Sequence, residues 1–228
     1  MKRNLIKTMM ALLAVLVFGI VGCGGGGGGS STPPNTTVVS TAKLFPLTAT
    51  PATSFTLSGS DNLGGIWSGS LMIRGDGQTT FEGQNLNKIY QQVSVALSGG
   101  SSSTSYISSY YNSNGSLYKS VYTGSTSGYS IQTNSFSIPS TFKNGDSIIG
   151  PALTTYINGT TDYQTTTYQV TDGGSGNLKV IGVIDTASGT SKTTTEYIIS
   201  PAGNILSIKM TIVYPTLGRT VTLNGTLI

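Results

Sequence analysis

The chain has 228 residues, of which only 9% are charged, and its formal net charge is +4. It contains no histidine and a single cysteine. The missing histidine excludes Ser-His-Asp and Cys-His catalytic sites, and the single cysteine excludes a disulfide framework within the chain. No basic patch or acidic tail indicates a nucleic-acid partner.

The N-terminal segment has the three parts of a secretory signal. Lys2, Arg3 and Lys7 give it a cationic start, and an apolar run follows over 9–20. That run is about a dozen residues long, which is too short for a permanent transmembrane helix of roughly 20 residues. We therefore expect residues 1–22 to be removed, which leaves nine Lys and Arg against eight Asp and Glu, a net charge of +1.

The residues that end this segment, Ile20-Val21-Gly22-Cys23, resemble the lipobox of bacterial lipoproteins. The resemblance implies cleavage between Gly22 and Cys23, and acylation of Cys23 with diacylglycerol and a third acyl chain. Two or more acyl chains anchor a protein stably, so a membrane is the first expected partner. Gly24 follows the cysteine in place of aspartate, which by the family's sorting rule favours the outer membrane. The alternative is a buried or disulfide-bonded Cys23.

Six consecutive glycines occupy 24–29, and no apolar residue follows them before Val38. Such a composition cannot bury apolar surface, so we predict a disordered linker over 23–45 and a folded domain over 46–228. The glycines lack the Gly-x-x-x-x-Gly-Lys-Ser/Thr pattern of a phosphate-binding loop.

From about residue 54 onward, apolar and polar residues alternate with the period of two that is typical of β-strands. No window in this region has the spacing of a long amphipathic helix. Asn-Gly and Asp-Gly pairs predict tight turns, because both residue types tolerate positive φ. These pairs are at 76–77, 114–115, 144–145, 158–159 and 172–173, and a type I turn is expected at 200–203. We expect strands at 66–74, 79–82, 88–98, 104–112, 116–123, 129–133, 153–158, 163–171, 177–185, 193–199, 204–214 and 219–227.

Short strands joined by tight turns predict an all-β fold, an antiparallel meander that closes into a barrel or forms a strongly curved sheet. Residues 110–120 and 196–207 share the order aromatic strand, turn, aliphatic strand, which suggests two half-units, 54–138 and 139–228. The mature region is similar to uncharacterised β-rich lipoproteins of Gram-negative bacteria, which share the polyglycine segment, a YYNSNGSL-type hairpin and an ending like VTLNGTL. This resemblance implies a fold and a location, and no activity.

Carboxylates are the main candidates for catalysis. Glu82 and Glu196 are the only glutamates, and both are predicted to lie on strands. If their carboxyl groups faced each other at roughly 5–10 Å, they would resemble the acid/base pair of a glycosidase. We favour the alternative, two strand residues that face solvent. The sequence has no zinc or calcium ligand spacing, so no metal and no cofactor are expected.

Tyrosine is the one enriched residue type that suits recognition. Pairing the strands on either side of the Asn114-Gly115 turn places Tyr111 opposite Tyr118, with Tyr122 on the same face. Two uses of these side chains remain open. They either pack within the sheet and core, which we favour, or form a recognition surface.

These features predict a non-enzymatic binding or structural β domain that is lipid-anchored in the cell envelope. Besides the membrane, its expected partner is an envelope protein or a polysaccharide. One alternative is a barrel-type carrier of an apolar ligand or lipid, which needs an open apolar cavity of at least about 300 Å³. A second alternative is a carboxylate-dependent, glycan-active enzyme that uses Glu82 and Glu196.

Overall fold

The computed structural model describes residues 36–100 and 102–228. Twelve antiparallel strands form one closed barrel, and three short strands lie outside this ring. The all-β barrel predicted from the sequence is therefore confirmed. The strands, in chain order, are β1 (Val38–Ser40), β2 (Thr53–Asp61), β3 (Ile66–Phe81), β4 (Gln84–Leu97), β5 (Ser102–Tyr111), β6 (Leu117–Gly124), β7 (Gly128–Gln132), β8 (Thr141–Lys143), β9 (Ser147–Ile149), β10 (Leu153–Ile157), β11 (Thr160–Gly174), β12 (Asn177–Thr186), β13 (Lys192–Ile199), β14 (Ile205–Tyr214) and β15 (Arg219–Leu227), with one 3-10 turn at Pro215–Leu217 before β15.

The barrel is an up-and-down meander with a single interruption, at 133–152. β7 pairs with β10 across this interruption, and β10 pairs with β11. The first and last strands of the ring, β2 and β15, pair with each other and close it. Each side of the interruption therefore contributes six strands. Because every strand of the ring has a partner on both sides, no edge strand is left open.

Tight turns join neighbouring strands at residues with positive φ. Glu82-Gly83, Asn158-Gly159 and Ser175-Gly176 are two-residue turns in which both residues have positive φ. The turn predicted at Asn158-Gly159 is confirmed. The turn predicted at 200–203 is also present, since the Gly203 N–H donates to the Ser200 carbonyl at 2.8 Å.

Two predicted turns lie inside strands instead. Asp76-Gly77 and Asp172-Gly173 are β-bulges within β3 and β11, where the pairing register shifts by one residue. At the first bulge the N-terminal segment passes so close that a Cβ added at Gly75 would lie 1.9 Å from the Thr48 carbonyl oxygen. The glycine there permits close backbone contact, so β3 continues through the predicted turn.

Two segments, 38–50 and 133–150, fill one end of the barrel, and together we call them the plug. β1 and β8 pair with each other within it. Its buried Phe45 and Phe142 rings pack against Tyr168 of β11, with ring centroids 6.1 and 5.6 Å away. We call this the plugged end of the barrel and the opposite end the distal end.

The plug corrects the predicted domain boundary. The linker predicted over 23–45 extends too far, because Val39, Leu44 and Phe45 are buried in the folded domain. The part of the predicted linker before residue 36 lies outside the described residues. Sequence composition missed this segment because its buried side chains are few and are separated by Ser, Thr and Lys.

The hydrophobic core lies inside the barrel and forms one continuous cluster. Side chains alone can fill the interior of an eight-stranded barrel. A ring of twelve strands encloses a wider interior. Here the plug and bulky aromatic side chains supply the additional volume. Five buried tyrosines point inward, namely Tyr111, Tyr122, Tyr168, Tyr197 and Tyr214.

The buried carboxylate of Asp61 connects β2 to β15 at the distal end, and we call this junction of the first and last ring strands the seam. Asp61 accepts hydrogen bonds from the Trp67 indole (2.7 Å), from Arg219 Nε (3.0 Å) and from the backbone N–H groups of Leu63 (2.9 Å) and Gly65 (3.0 Å). Its side chain is fully buried. Burial opposes ionisation of Asp61, but these hydrogen bonds outweigh it and lower its pKa to about 2.

Candidate functional site

Aromatic side chains cover one part of the outer barrel surface. They lie on β3, β4, β5, β6, β7, β10 and β11, which are consecutive in the ring. Strand alternation directs most of them outward, and in β5 the sequence neighbours of Tyr106 and Tyr110 are all buried. We call this set the aromatic face, and it comprises Phe81, Tyr90, Tyr106, Tyr110, Tyr118, Tyr129, Tyr156 and Tyr163.

The part of the aromatic face nearest the plugged end is a stacked cluster. The Phe81 and Tyr110 rings stack with centroids 3.8 Å apart, and Tyr118 packs edge-on against Phe81 at 6.5 Å. Glu82 accepts hydrogen bonds from Tyr118 Oη at 2.9 Å and from Lys119 Nζ at 2.6 Å. The Lys119 amine is thereby held beside rings rather than free in solvent.

The cluster continues across the interruption of the meander. Lys119 Nζ lies 4.8 Å from the centre of the Tyr129 ring, within cation–π distance. Tyr129 on β7 is paired with Tyr156 on β10, and their rings stack at 4.7 Å. Tyr163 on β11 is 61% exposed and Tyr129 is 38% exposed. The part of the aromatic face on β7, β10 and β11 therefore presents aromatic surface to solvent.

A second charged group borders the face on β3 and β4. The Arg74 guanidinium lies 4.6 Å above the Tyr90 ring. Asp76 forms ion pairs with Arg74 at 2.7 Å and with Lys88 at 2.8 Å. Burial opposes ionisation of Asp76, but hydrogen bonds from Lys88 and Arg74 outweigh it and lower its pKa.

The electrostatics of the aromatic face are close to balanced. Hydrogen bonds from Lys119 and Tyr118 lower the pKa of Glu82, and the bond to Glu82 raises the pKa of Tyr118. Three cations (Arg74, Lys88, Lys119) thus meet two carboxylates (Asp76, Glu82) that stay ionised at neutral pH. The face suits an uncharged or weakly anionic ligand with flat apolar surfaces.

The tyrosines predicted to share one surface are separated by the barrel wall. Tyr111 and Tyr122 are buried in the interior, where burial raises the Tyr122 pKa to about 12, and only Tyr118 lies outside. The predicted pairing of Tyr111 with Tyr118 is wrong, because a bulge between Tyr110 and Tyr111 pairs Tyr111 with Leu117 instead. The bulge shifts Tyr118 to the outer side.

Apart from Tyr118, the tyrosines of the outer face alternate with inward-facing residues, so an odd or even position along the strand is the sequence signal for them. In β5 this alternation places Tyr106 and Tyr110 on the face opposite Tyr111, and both are outside the barrel. The contribution of Tyr129 and Tyr156 depends on the pairing of β7 with β10. That pairing joins strands separated by twenty residues, and no local pattern predicts it.

The two glutamates are not brought together. Glu82 lies in the turn between β3 and β4, with φ of 48°, rather than on a strand as predicted. Glu196 lies on the outer face of β13, between Lys179 and Lys209. Burial opposes ionisation of Glu196, but hydrogen bonds from these lysines outweigh it and lower its pKa. A glycosidase acid needs a raised pKa, and neither carboxyl group has one.

The predicted lipid attachment at Cys23 and the cleavage site at Gly22 lie outside the described residues. Within 36–100 and 102–228 no group of three His, Cys, Asp or Glu side chains is placed to hold a metal ion. The same part of the chain contains no helix that is long and apolar enough to cross a membrane.

Two cavities flank the plug. The larger, of about 320 Å³, lies between the plug and the turn that contains Asn114, and Phe45, Leu47 and Ile138 supply its apolar walls. The smaller, of about 260 Å³, lies near Lys43. Both cavities are therefore at the plugged end, whereas the carrier alternative places its ligand in the interior of the barrel.

The described residues define a class of structure, a closed twelve-stranded antiparallel barrel with an apolar core and an aromatic outer face. The chain matches no protein-family model, and comparisons with curated proteins and with solved structures find no significant match. Function is therefore inferred from the chemistry of the site.

Proposed function

We propose that this protein is a non-enzymatic, lipid-anchored component of the cell envelope that binds glycan chains on its aromatic face. The observation that carries the proposal is the placement of eight outward-facing aromatic side chains on seven consecutive strands of the twelve-stranded ring. Predicted acylation of Cys23 would hold this face within the envelope, where glycan polymers are abundant.

The chemistry of the face favours a sugar over a charged ligand. Pyranose rings present flat C–H surfaces that pack on aromatic rings, and Tyr adds a hydroxyl that bonds to sugar hydroxyls. Uncharged polar side chains lie between the rings, among them Gln92, Ser108 and Thr123, which occupy outward positions on β4, β5 and β6. The cations of the face are already paired with carboxylates, so they add little net charge.

Binding to purified peptidoglycan sacculi, measured by co-sedimentation, tests the proposal. Tyr129→Ala and Tyr163→Ala each remove an exposed ring, and we expect each to weaken binding about tenfold, since a lost stacking contact of about 1.4 kcal/mol corresponds to that factor. Tyr129→Phe keeps the ring and should retain most of the affinity. A soluble envelope polysaccharide serves as a second probe in the same assay.

Thr211→Ala and Thr222→Ala are the matched controls, because both positions are outward-facing on β14 and β15, away from the aromatic face. Thermal unfolding of all variants separates loss of binding from loss of fold. The proposal fails if neither polysaccharide binds the unmodified protein, or if the threonine variants lose as much affinity as Tyr129→Ala.

The anchor is tested separately by metabolic labelling with a palmitate analogue. We expect the wild-type chain to incorporate label and to fractionate with membranes, and Cys23→Ser to do neither. Equal labelling of the two chains would overturn the proposed anchor and leave the glycan-binding measurement unaffected.

A second candidate function is supported by the larger cavity at the plugged end. Its volume of about 320 Å³ and its Phe45, Leu47 and Ile138 walls fit a small apolar ligand. Leu47→Trp should fill this space and abolish binding of an apolar fluorescent probe, whereas Tyr129→Ala should not change it. Probe binding that is equal in Leu47→Trp and wild type would exclude this cavity as the binding site.

A further inference from the structure

Four exposed aliphatic side chains lie at the plugged end of the barrel, near β14 and β15. Val38 is 55% exposed, Leu206 44%, Leu227 47% and Ile228 78%. We call these four residues the aliphatic rim. Exposure alone does not distinguish this end, because Leu63, Ile66 and Leu217 are exposed to a similar degree at the distal end. The rim is distinguished by the lysines beside it and by the direction from which the chain enters.

The rim residues are neighbours in space. The register of β14 and β15 pairs Ser207 with Thr226, which places Leu206 beside Leu227. Val38 reaches the same region through the plug. A Cβ added at Gly203, in the turn that leads to Leu206, would lie 3.2 Å from the Ser40 carbonyl oxygen.

Two lysines accompany the rim. Lys143 is the register partner of Val38 in the β1–β8 pair, and Lys43 contacts the side chain of Asn204. Both lysines are exposed. Among the described residues, no carboxylate lies within ion-pair distance of either amine, although Lys88, Lys119, Lys179 and Lys192 all have such partners.

The direction of the chain indicates what covers this surface. Thr36, the first described residue, leads directly into β1 at the plugged end. Twelve residues separate it from Cys23, and they can span at most about 45 Å. β4 has 14 residues and is about 45 Å long, and with the roughly 40° tilt of a barrel strand it separates the two ends by roughly 35 Å. A Gly-rich random coil of 12 residues spans roughly 20 Å on average, which is less than this separation. A lipid on Cys23 would therefore bring the plugged end closest to the bilayer.

We propose that the aliphatic rim, together with Lys43 and Lys143, rests on the surface of the lipid bilayer to which the chain is anchored. This inference depends on the anchor in the proposed function. Aliphatic side chains enter the boundary between headgroups and acyl chains, and lysine amines meet anionic lipid phosphates. The contact orients the barrel with its distal end away from the membrane and its aromatic face at the side, accessible to polymers.

Fluorescence quenching by lipids tests this orientation. The chain from residue 23 onward, with Cys23→Ser and an N-terminal hexahistidine, is tethered to vesicles of phosphatidylcholine, phosphatidylglycerol and a nickel-chelating lipid. Removal of residues 1–22 changes none of the described residues. A polarity-sensitive dye is attached to L206C. We expect a blue shift on tethering and loss of most of the emission when the vesicles contain a doxyl-labelled lipid.

The matched control is L63C, because Leu63 is 66% exposed at the distal end. Its dye should show neither the shift nor the quenching. Adding V38S and L227S to L206C should reduce the quenching, and replacing phosphatidylglycerol by phosphatidylcholine should reduce it further.

Equal quenching of the two dyes, or none at L206C, overturns the proposal. A blue shift at L206C without vesicles, together with a doubled mass by light scattering, would also overturn it, since a second copy would then cover the rim. The histidine tether replaces acylation, so these outcomes do not depend on whether Cys23 is acylated, which the palmitate labelling decides.

Discussion

Strands β5–β7 and strands β13–β15 lie on opposite sides of the barrel, and we call them the β5–β7 wall and the β13–β15 wall. The two walls differ in whether their apolar side chains lie mainly inside or outside the barrel. The β13–β15 wall is mainly aliphatic inside and carries no aromatic residue on its outer face. The β5–β7 wall has four tyrosines outside and serine on much of its inner face. The buried serines are Ser103, Ser105, Ser109, Ser120 and Ser130.

This difference shows that the two walls are stabilised by different interactions. Ser109 and Ser120 bond to each other at 2.6 Å, and Ser130 bonds to Tyr122 and Thr155, each at 2.8 Å. Such hydrogen bonds contribute about 1 kcal/mol each, less than the 1.5–3 kcal/mol of a fully buried aliphatic side chain. In the β5–β7 wall, where the serine-rich inner face contributes less stabilisation, aromatic pairs on the outer face add cross-strand packing. Packing and recognition can thus be measured separately there, by unfolding and by binding.

The largest effect is expected at the seam that holds the β13–β15 wall to β2. Asp61→Ala leaves the nearly buried Arg219 guanidinium and the Trp67 indole N–H without their acceptor. Loss of one partner of a buried ion pair costs about 3–5 kcal/mol. Denaturant unfolding should show this loss, and Asp185→Ala, in the exposed pair with Lys192, should change stability by less than about 1 kcal/mol. Similar losses in both variants would contradict the proposed role of the seam.

The lowered pKa of Asp61 predicts that the stability of the folded chain depends on pH. This pKa is lowered to about 2 in the folded chain, so the unfolded chain binds the proton more readily. The stabilisation is present above pH 4 and is lost as the pH falls towards 2. From the difference between 3.8 and about 2 it amounts to roughly 2–3 kcal/mol. Unfolding measured from pH 5 to pH 2 should show this slope in the wild type and a weaker one in Asp61→Asn.

The next effect compares the interiors of the two walls. Ile212→Ala opens a cavity in the aliphatic interior of β14, which costs about 2–5 kcal/mol. Ser120→Ala on β6 removes only a hydroxyl and leaves the buried Ser109 without that partner, at about 1–2 kcal/mol. Thermal and denaturant unfolding measure both. A cost of Ser120→Ala equal to that of Ile212→Ala would remove the distinction between the walls.

The sequence predicted the strands of both walls because each has a two-residue period and is bounded by turn residues. It did not predict β2, whose residues Thr53–Asp61 alternate only weakly around Ser and Gly. Asp76-Gly77 matches a hairpin turn as well as it matches a bulge, and only the plug passing over Gly75 decides between them. Local patterns therefore predict the elements, and long-range contacts decide where they bend.

The candidate site was less predictable than the fold. Alternation along the strands predicted that Tyr111, Tyr118 and Tyr122 share one face, but the bulge before Tyr111 reverses the side on which Tyr118 lies. A single extra residue exchanges the two faces of a strand, so any surface inferred from alternation fails beyond an unrecognised bulge. Neither the stacking of Phe81 on Tyr110 nor that of Tyr129 on Tyr156 has a signature in the local sequence.

A smaller effect, of opposite sign, is expected at Gln91 on β4, next to the β5–β7 wall. Its side chain is fully buried, and neither amide atom bonds to a described group. Gln91→Leu should therefore stabilise the barrel by about 1–2 kcal/mol, because an unpaired buried amide costs that much. Gln92→Leu, on the outer side of the same strand, is the control and should have little effect. Destabilisation by Gln91→Leu would mean that the amide is hydrogen-bonded in solution.

The smallest effect separates packing from recognition on the aromatic face. Tyr110→Ala removes the ring that stacks on Phe81 and should cost about 1 kcal/mol of stability, as a cross-strand aromatic pair does. Tyr163→Ala should cost less, because this ring is largely exposed and makes no ring contact with another described residue. Binding to sacculi should show the reverse order, with the larger loss at Tyr163, because an exposed ring is available to a ligand while a stacked one is partly covered. If both variants lose binding only in proportion to stability, the outer tyrosines act as packing for a wall with a serine-rich interior and not as a recognition surface.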